Sequence, residues 1–202
     1  MNRSVDILIP TFNRKQFSKQ IVCNINKQNY PFINKVIVAD DGTERLDMTG
    51  CKYPVEYYSV ARMSIGDKRN YLNFVSRAYY IANMDTDDIY NPNYISICIF
   101  NLLRTGKYIT GSADMILSYE KKYYIHRCCY INYLNEATIV CVNNNRKYSN
   151  SNSSEGLEYL HDMSPYIVET DIRDIMVCLV HKDNSVKKNH ILHEEIEKPT
   201  WL

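Results

Sequence analysis

Three short apolar segments, separated by helical patterns, constrain the fold of this chain more than any other feature. They cover 5–9, 35–39 and 79–84, and the first run ends at Pro10. Apolar runs of this length are typical of strands buried on both faces, as in parallel sheets. Helical spacing of apolar residues follows over 16–26 and 65–77. This order predicts an α/β fold with a mostly parallel central sheet.

The second half of the chain has a different pattern. Segments 108–119 and 122–129 resemble strands that could pair as a hairpin, and further apolar segments cover 137–142 and 175–181. Between them, 143–154 is rich in Asn, Ser and basic residues, which predicts a mobile loop. No linker divides the chain. We therefore expect one domain over 1–202, with a small antiparallel portion in its second half.

Composition and charge exclude several classes of partner. The 202 residues include 24 basic and 23 acidic side chains, so the net charge of +1 does not favour nucleic acid or an anionic membrane surface. No apolar run approaches the length of a membrane span. Seven cysteines without a CxxC pair predict reduced thiols and a cytoplasmic protein. The abundance of Asn, Lys, Ile and Tyr suits a large DNA virus or a low-GC bacterium, so the compartment could be a host cytoplasm.

Polar loops follow three of the predicted strands at their carboxyl ends. Thr11, Asp41 and Asp85 each come directly after a different strand. In open parallel sheets, ligands bind in the crevice beyond the carboxyl ends of the strands. The sequence therefore predicts that these loops converge on one binding site.

An acidic loop and a basic segment suggest what this site binds. The acidic loop reads DTDD at 85–88, and the basic segment reads GDKRN at 66–70. Carboxylate oxygens suit hard divalent cations such as Mg²⁺ and Mn²⁺, while Lys68 and Arg69 suit phosphate oxygens. The alternatives are a helix N-cap cluster for the acidic loop and a solvated helix face for the basic segment.

Four motifs in the first hundred residues resemble those of one enzyme family. IPTFNR at 9–14, VADDGT at 38–43, GDKRN at 66–70 and MDTDD at 84–88 occur in the family's order. Together they resemble the nucleotide-sugar glycosyltransferases of family 2, which have the GT-A fold. The resemblance implies a GT-A-like, Rossmann-like domain. Its nucleotide-sugar-binding half would cover about 1–105 and its acceptor-side half about 106–202.

The resemblance also implies roles for individual residues around the donor. Asp41 would contact the base or ribose, although a plain turn aspartate is the alternative. Asp85 would meet the ribose or a metal-bound water, and Asp87 would bind the metal directly. The full set implied to hold the nucleotide sugar is Pro10, Thr11, Asn13, Arg14, Asp41, Lys68, Arg69, Asp85 and Thr86.

The general base has more than one candidate in the sequence. SEGLEYL at 154–160 resembles the family's G-E-D segment, in which the aspartate often acts as the base, but Gly156 stands in its place. The remaining candidates are Glu155 and then Glu158. Both could equally be surface charges of a helix.

A histidine late in the chain is a further candidate metal ligand. VCLVHKDNS at 177–185 resembles the late strand and H-G-x-N-T loop of related enzymes, with Lys182 in place of the glycine. The resemblance implies that His181 binds the metal alongside Asp87 and Asp85, because Mn²⁺ accepts imidazole as well as carboxylate ligands. A structural histidine is the alternative.

The resemblance implies a Mn²⁺- or Mg²⁺-dependent, inverting hexosyl- or deoxyhexosyltransferase. It would move a sugar from a UDP- or GDP-linked donor to a hydroxyl of a glycan or glycoconjugate. Two alternatives remain. Gly156 keeps open a degenerate module that binds nucleotide sugar or glycan without catalysis. A sugar nucleotidyltransferase has less support, because the loop at 10–14 contains no glycine.

Overall fold

A computed structural model describes residues 3–128, 133–182, 184, 192 and 194–202. The α-helices are α1 Ser18–Lys27, α2 Ile65–Val75, α3 Tyr94–Thr105 and α4 Gly156–Leu160. The strands are β1 Val5–Thr11, β2 Ile33–Asp40, β3 Val55–Ser59, β4 Tyr80–Asn83, β5 Asp88–Tyr90, β6 Ile109–Gly111, β7 Met115–Tyr119, β8 Lys122–His126, β9 Val140–Val142, β10 Ile167–Glu169, β11 Met176–Leu179 and β12 Glu194–Ile196.

The larger sheet is the mostly parallel one that the sequence predicts. Among the described residues its strand order is β10-β6-β9-β4-β1-β2-β3. β1 pairs in parallel with β2 and β4, and β2 pairs in parallel with β3. β9 runs antiparallel between β4 and β6. Ile7, Leu8 and Ile9 of β1 are fully buried, which explains the continuous apolar character of that strand.

The smaller sheet contains the predicted antiparallel portion. Its order over the described residues is β12-β8-β7-β11-β5. β7 and β8 form the expected hairpin, whose turn places Glu120 and Lys121 at positive φ. Residue 129, the last of the predicted second strand, lies outside the described residues. β11 pairs antiparallel with β5 and sets Cys178 opposite Asp88, so the late strand lies beside the acidic loop.

Helix α2 carries the basic segment and begins with a side-chain cap. The Ser64 hydroxyl accepts a hydrogen bond from the Asp67 N–H at 3.0 Å, as expected of an N-cap serine. The helix ends at Val75, two residues before the end that the sequence predicts. The cause is Asp6, whose buried carboxylate accepts a hydrogen bond from the Ser76 hydroxyl at 2.8 Å and holds the chain in an extended conformation.

The prediction of a mobile loop over 143–154 needs correction, because this segment is anchored to α2. Tyr148 is buried, and its backbone exchanges two hydrogen bonds with the Asn70 side chain, at 2.9 and 2.8 Å. The Tyr148 ring stacks on Tyr159 with 4.2 Å between centroids. The polar composition suggests mobility because it gives no sign of these specific contacts. Separately, no helix within the described ranges is long and apolar enough to cross a membrane.

We predict that Gly66→Ala destabilises the protein through this anchored segment. A Cβ at position 66 would lie 1.8 Å from the Ser149 carbonyl oxygen, so the two backbones would have to separate. Overpacking of this kind costs about 1–3 kcal/mol in the free energy of unfolding. Urea denaturation would measure the change. Phe74→Ala, at an exposed position of the same helix, is the control and should change stability by less than about 0.5 kcal/mol. Equal stability of the two variants would contradict the prediction.

Candidate active site

A cleft of about 950 Å³ opens at the carboxyl ends of β1 and β4, as the sequence predicts for an open parallel sheet. We call it the carboxyl-end cleft. The structure brings most of the predicted site residues to its lining, namely Pro10, Thr11, Asn13, Arg14, Lys68, Arg69, Asp85, Thr86, Asp87 and Glu155. Asp41, Glu158 and His181 are not among the described residues that line it.

Asp41 lies beneath the cleft, where protein groups surround its carboxylate. Its side chain is fully buried, and one oxygen accepts a hydrogen bond from Lys68 Nζ at 2.6 Å. The other oxygen contacts Arg62 Nη1 at 2.7 Å and accepts from the Met63 N–H at 3.1 Å. Burial opposes ionisation, but these donors outweigh it and hold the Asp41 pKa below its usual value. In this conformation Asp41 positions Lys68, and its carboxylate presents no exposed surface to the cleft.

Lys68 connects the end of β1 to the end of β2. Besides its contact with Asp41, its ammonium donates to the Thr11 carbonyl at 3.0 Å. Burial lowers the Lys68 pKa from its usual value, although the Asp41 carboxylate acts in the opposite direction. The buried Thr11 hydroxyl has no hydrogen-bond partner among the described residues, so the cleft keeps a free polar group beside Lys68.

Arg62 is a cleft residue that the sequence analysis missed. Its guanidinium lies 3.7 Å from the centroid of the Phe12 ring and also contacts Asp41. An Arg on an aromatic face forms a flat cationic surface. No motif marks Arg62, because it lies in the irregular segment between β3 and α2. Phe12, on which Arg62 packs, lies within the first motif, so an aromatic residue there was the only sequence signal for a cation at this place.

Asn13 shapes the loop after β1. Its φ of 51° is in the left-handed region, which asparagine tolerates better than most residues. Its Oδ1 accepts hydrogen bonds from the Thr43 and Glu44 N–H groups at 2.8 and 3.0 Å. A Cβ on Gly42 would lie 2.5 Å from that oxygen, which explains the glycine in this turn. Asn13 therefore connects the first two predicted loops as well as lining the cleft.

Arg69 is a second buried cation of the site, next to Lys68 in the sequence. Its Nε contacts Glu155 Oε1 at 3.0 Å and its Nη2 contacts Asp85 Oδ1 at 3.1 Å. Burial alone would lower its pKa, but the two carboxylates raise it, so the guanidinium stays charged. Its Nη1 is buried and has no partner among the described residues. That atom is therefore a hydrogen-bond donor left unsatisfied in this conformation.

The predicted metal ligands Asp87 and His181 lie together. His181 Nε2 is 3.0 Å from Asp87 Oδ2, and Arg14 Nη2 lies 3.6 Å from the same oxygen. Asp85, the third predicted ligand, is instead engaged by Arg69. Within the described ranges no three His, Cys, Asp or Glu side chains form a ready cluster for a metal ion. A carboxylate beside an imidazole nevertheless suits a borderline cation such as Mn²⁺, whose remaining ligands could be phosphate oxygens and water.

The two predicted base residues have different surroundings. Glu155 is buried in the cleft beside Arg69. Glu158 is exposed, because α4 directs Tyr159 and Leu160 to the core and leaves Glu158 on the solvent side. The structure therefore brings Glu155 to the site and leaves Glu158 outside it.

Tyr133 and Glu136 line the cleft, and the sequence analysis identified neither. Glu136 is 7% exposed, and the Tyr133 hydroxyl donates to its Oε2 at 3.3 Å. Burial, followed by the nearby Glu155 charge, raises the Glu136 pKa above its ordinary value of 4.5. Both residues precede β9 in a segment without a recognisable motif, so no local signal could have found them.

Comparison with known families identifies the class of protein. The sequence model of glycosyl transferase family 2 matches residues 6–153, and the chain belongs to that family. This confirms the resemblance drawn from the four motifs. None of the curated protein sequences compared with the chain matches it significantly.

Solved structures share the GT-A fold with this chain. S. aureus TarS 1–349 in complex with UDP-GlcNAc gives a TM-score of 0.65 at 12% identity, covering 90% of this chain and 60% of that one. The mannosyltransferase PcManGT from Pyrobaculum calidifontis, in complex with GDP-Man and Mn²⁺, gives 0.64 at 11% identity, covering 92% and 59%. The chain thus spans about three-fifths of the length of these proteins. At such identities the likeness shows the fold alone.

We predict that Asp41→Asn lowers the free energy of unfolding at pH 7 by about 3 kcal/mol, because it leaves Lys68 buried without a counter-charge. The folded-state pKa of Asp41 is depressed. The ionised Asp41 carboxylate therefore stabilises the folded state fully at pH values above its ordinary pKa of 3.8. This stabilisation is lost as the pH falls through the lower pKa of the folded state. Denaturant titrations at pH 7, 5 and 3 would show the difference from the parent protein shrinking at the lowest pH.

A double substitution is the control for this prediction. Asp41→Leu with Lys68→Met removes both buried charges, and it should be more stable at pH 7 than either single substitution. If the double variant instead loses as much free energy of unfolding as the two single variants together, the two charges do not stabilise each other and the prediction is wrong.

Proposed function

We propose that the protein transfers a hexosyl or deoxyhexosyl group from a UDP- or GDP-linked donor to a hydroxyl of a glycan or glycoconjugate, with inversion. In this proposal residues 1–105 bind the donor and residues 106–202 contact the acceptor. Membership of glycosyl transferase family 2 supports the reaction class. TarS binds UDP-GlcNAc and PcManGT binds GDP-Man in the structures named above, which supports a nucleotide-sugar donor.

The observation that carries the proposal is the pairing of charges in the carboxyl-end cleft. Lys68 and Arg69 lie on the first turns of α2, and Asp87 lies in the loop after β4, so one cleft offers both cations and a candidate metal ligand. A sugar diphosphate needs cations for its phosphate oxygens. A divalent ion held by Asp87 would supply part of that charge.

The donor site follows from these positions. Arg69 Nη1 and the Thr11 hydroxyl are buried polar groups without a hydrogen-bond partner among the described residues, and small side-chain shifts on donor binding would bring them to the ligand. Pro10, Asn13 and Arg14 form the lip of the cleft next to Arg62 and Phe12. Lys68 and Arg69 would hold the diphosphate and stabilise the charge that develops on it as the leaving group. Asp85 and Thr86 complete the donor side in the loop that follows β4.

Asp87 and His181 are the residues that would hold Mn²⁺ or Mg²⁺. When bound, such an ion would act as a Lewis acid that stabilises charge on the leaving diphosphate. Inversion requires direct attack by the acceptor hydroxyl, and a cleft carboxylate must take up its proton. Of the two candidates from the sequence, only Glu155 lines the cleft.

Titration calorimetry with UDP, GDP and their hexose conjugates tests the proposal. We expect at least one donor to bind with a Kd in the micromolar range in the presence of Mn²⁺. Removal of the cation with EDTA should weaken binding by at least tenfold. Failure of every nucleotide and nucleotide sugar to bind would refute the proposal. Donor binding without any release of nucleoside diphosphate would instead favour the binding-module alternative.

Asp87→Ala should abolish the dependence of donor affinity on Mn²⁺, because it removes the carboxylate beside His181. The affinity of the variant in Mn²⁺ should equal the affinity of the parent in EDTA. Glu197→Gln changes an exposed carboxylate outside the cleft and is the control, which should behave as the parent does. A variant that keeps the full effect of Mn²⁺ would remove Asp87 from the metal site.

A further inference from the structure

The backbone at Gly156 lies directly against the carboxylate of Glu136. The Gly156 N–H donates a hydrogen bond to Glu136 Oε1 at 2.9 Å. A Cβ on residue 156 would lie 2.6 Å from the same oxygen and 2.9 Å from Glu136 Cγ. Because residue 156 is a glycine, the Glu136 carboxylate can occupy the volume that a side chain at position 156 would otherwise fill.

Glu136 also differs from Glu155, Asp85 and Asp87 in its partners. Arg69 contacts both Glu155 and Asp85 within 3.1 Å. Asp87 lies next to His181 and Arg14. Glu136 has no ion-pair partner within 4.0 Å in the described part of the chain, and its carboxylate accepts hydrogen bonds from the Gly156 N–H and the Tyr133 hydroxyl.

Burial makes Glu136 suited to accept a proton. A carboxylate whose surroundings are apolar or negatively charged binds a proton more readily, and an efficient general base needs a pKa nearer to the working pH. Burial and the Glu155 charge raise the Glu136 pKa, and the opposing effect of the Arg69 charge does not cancel them. Glu155, by contrast, neutralises the guanidinium and is the less suitable base on geometric grounds.

We propose that Glu136 is the general base of the transfer reaction and that its carboxylate replaces the side chain that Gly156 lacks. This inference rests on the proposed function. The Glu136 carboxylate takes the proton of the acceptor hydroxyl as the acceptor oxygen bonds to the anomeric carbon. The bond between that carbon and the diphosphate oxygen breaks, and its electron pair leaves with the nucleoside diphosphate. The proton on Glu136 then passes to solvent.

The first test is Glu136→Gln, which keeps an oxygen for the Gly156 N–H and removes the proton acceptor. Release of nucleoside diphosphate from the donor, with water or a glycan as acceptor, would be measured together with donor affinity. We expect kcat to fall at least about 100-fold, as for loss of a general base, while the donor Kd changes less than threefold. Glu197→Gln should retain the parent's kcat.

The fold of the variant can be checked independently. Removal of a buried negative charge beside Glu155 should leave the unfolding temperature of Glu136→Gln at or above that of the parent at pH 7. A low kcat in a folded variant that binds donor normally then reports on chemistry. A kcat within threefold of the parent's would overturn the proposal.

The second test moves the carboxylate to the other side of the contact. Glu136→Ala empties the volume beside position 156, and Gly156→Asp then supplies a carboxylate from α4. We expect Glu136→Ala alone to have a much lower kcat than the parent. The kcat of the double variant should be at least tenfold higher than that of Glu136→Ala. Gly156→Asp alone should unfold at a lower temperature, because its Cβ meets Glu136. A purely structural Glu136 would give no recovery of kcat in a folded double variant, which would contradict the proposal.

Donor binding separates this inference from the proposed function. If the parent protein binds no nucleotide sugar, the proposed function fails and the inference fails with it. If the parent binds donor and turns it over, and only Glu155→Gln loses activity, the function stands and the assignment of Glu136 is wrong.

Discussion

The ion pairs of the Arg69 guanidinium connect the separate parts of the chain that build the cleft. Its partners are Asp85, 16 residues away, and Glu155, 86 residues away. A buried charge without a partner costs several kcal/mol. The guanidinium therefore stays buried only while α2, the loop after β4 and the start of α4 remain together. This requirement places the second half of the chain against the donor loops and defines the cleft.

Two glycines allow that approach of distant segments. Gly66 on α2 lies against the Ser149 carbonyl, and Gly156 lies against Glu136, with no room for a Cβ at either position. Both contacts flank Arg69. Their closeness places the anchored segment 143–154 and the start of α4 within reach of the guanidinium. Backbone contacts that require glycine thus produce the electrostatic arrangement of the cleft, in which no cation of the described residues lies within 4.0 Å of the Glu136 carboxylate.

Much of the fold could be predicted from the sequence because its signals are local. The apolar runs of β1, β2 and β4 identify buried parallel strands, and the carboxyl ends of such strands converge whatever the rest of the chain does. Hence Thr11, Asp85 and Asp87 could be assigned to one site. Glu136 and Arg62 could not, because long-range packing alone brings their segments to the cleft. The anchoring of 143–154 escaped prediction for the same reason, since a polar composition does not reveal the pairing of Asn70 with the Tyr148 backbone.

The charges of the cleft also give a physical reason for metal dependence under the proposed function. Arg14 lies next to Asp87, and Arg69 lies next to Asp85 and Glu155. A diphosphate arriving alone would have to compete with these carboxylates for the cations and would draw Arg14 away from Asp87. Asp87 would hold a divalent cation bound together with the donor, and Arg14 would then be free for a phosphate oxygen. Because buried charges that stay paired avoid most of the desolvation cost, donor and cation would bind best together.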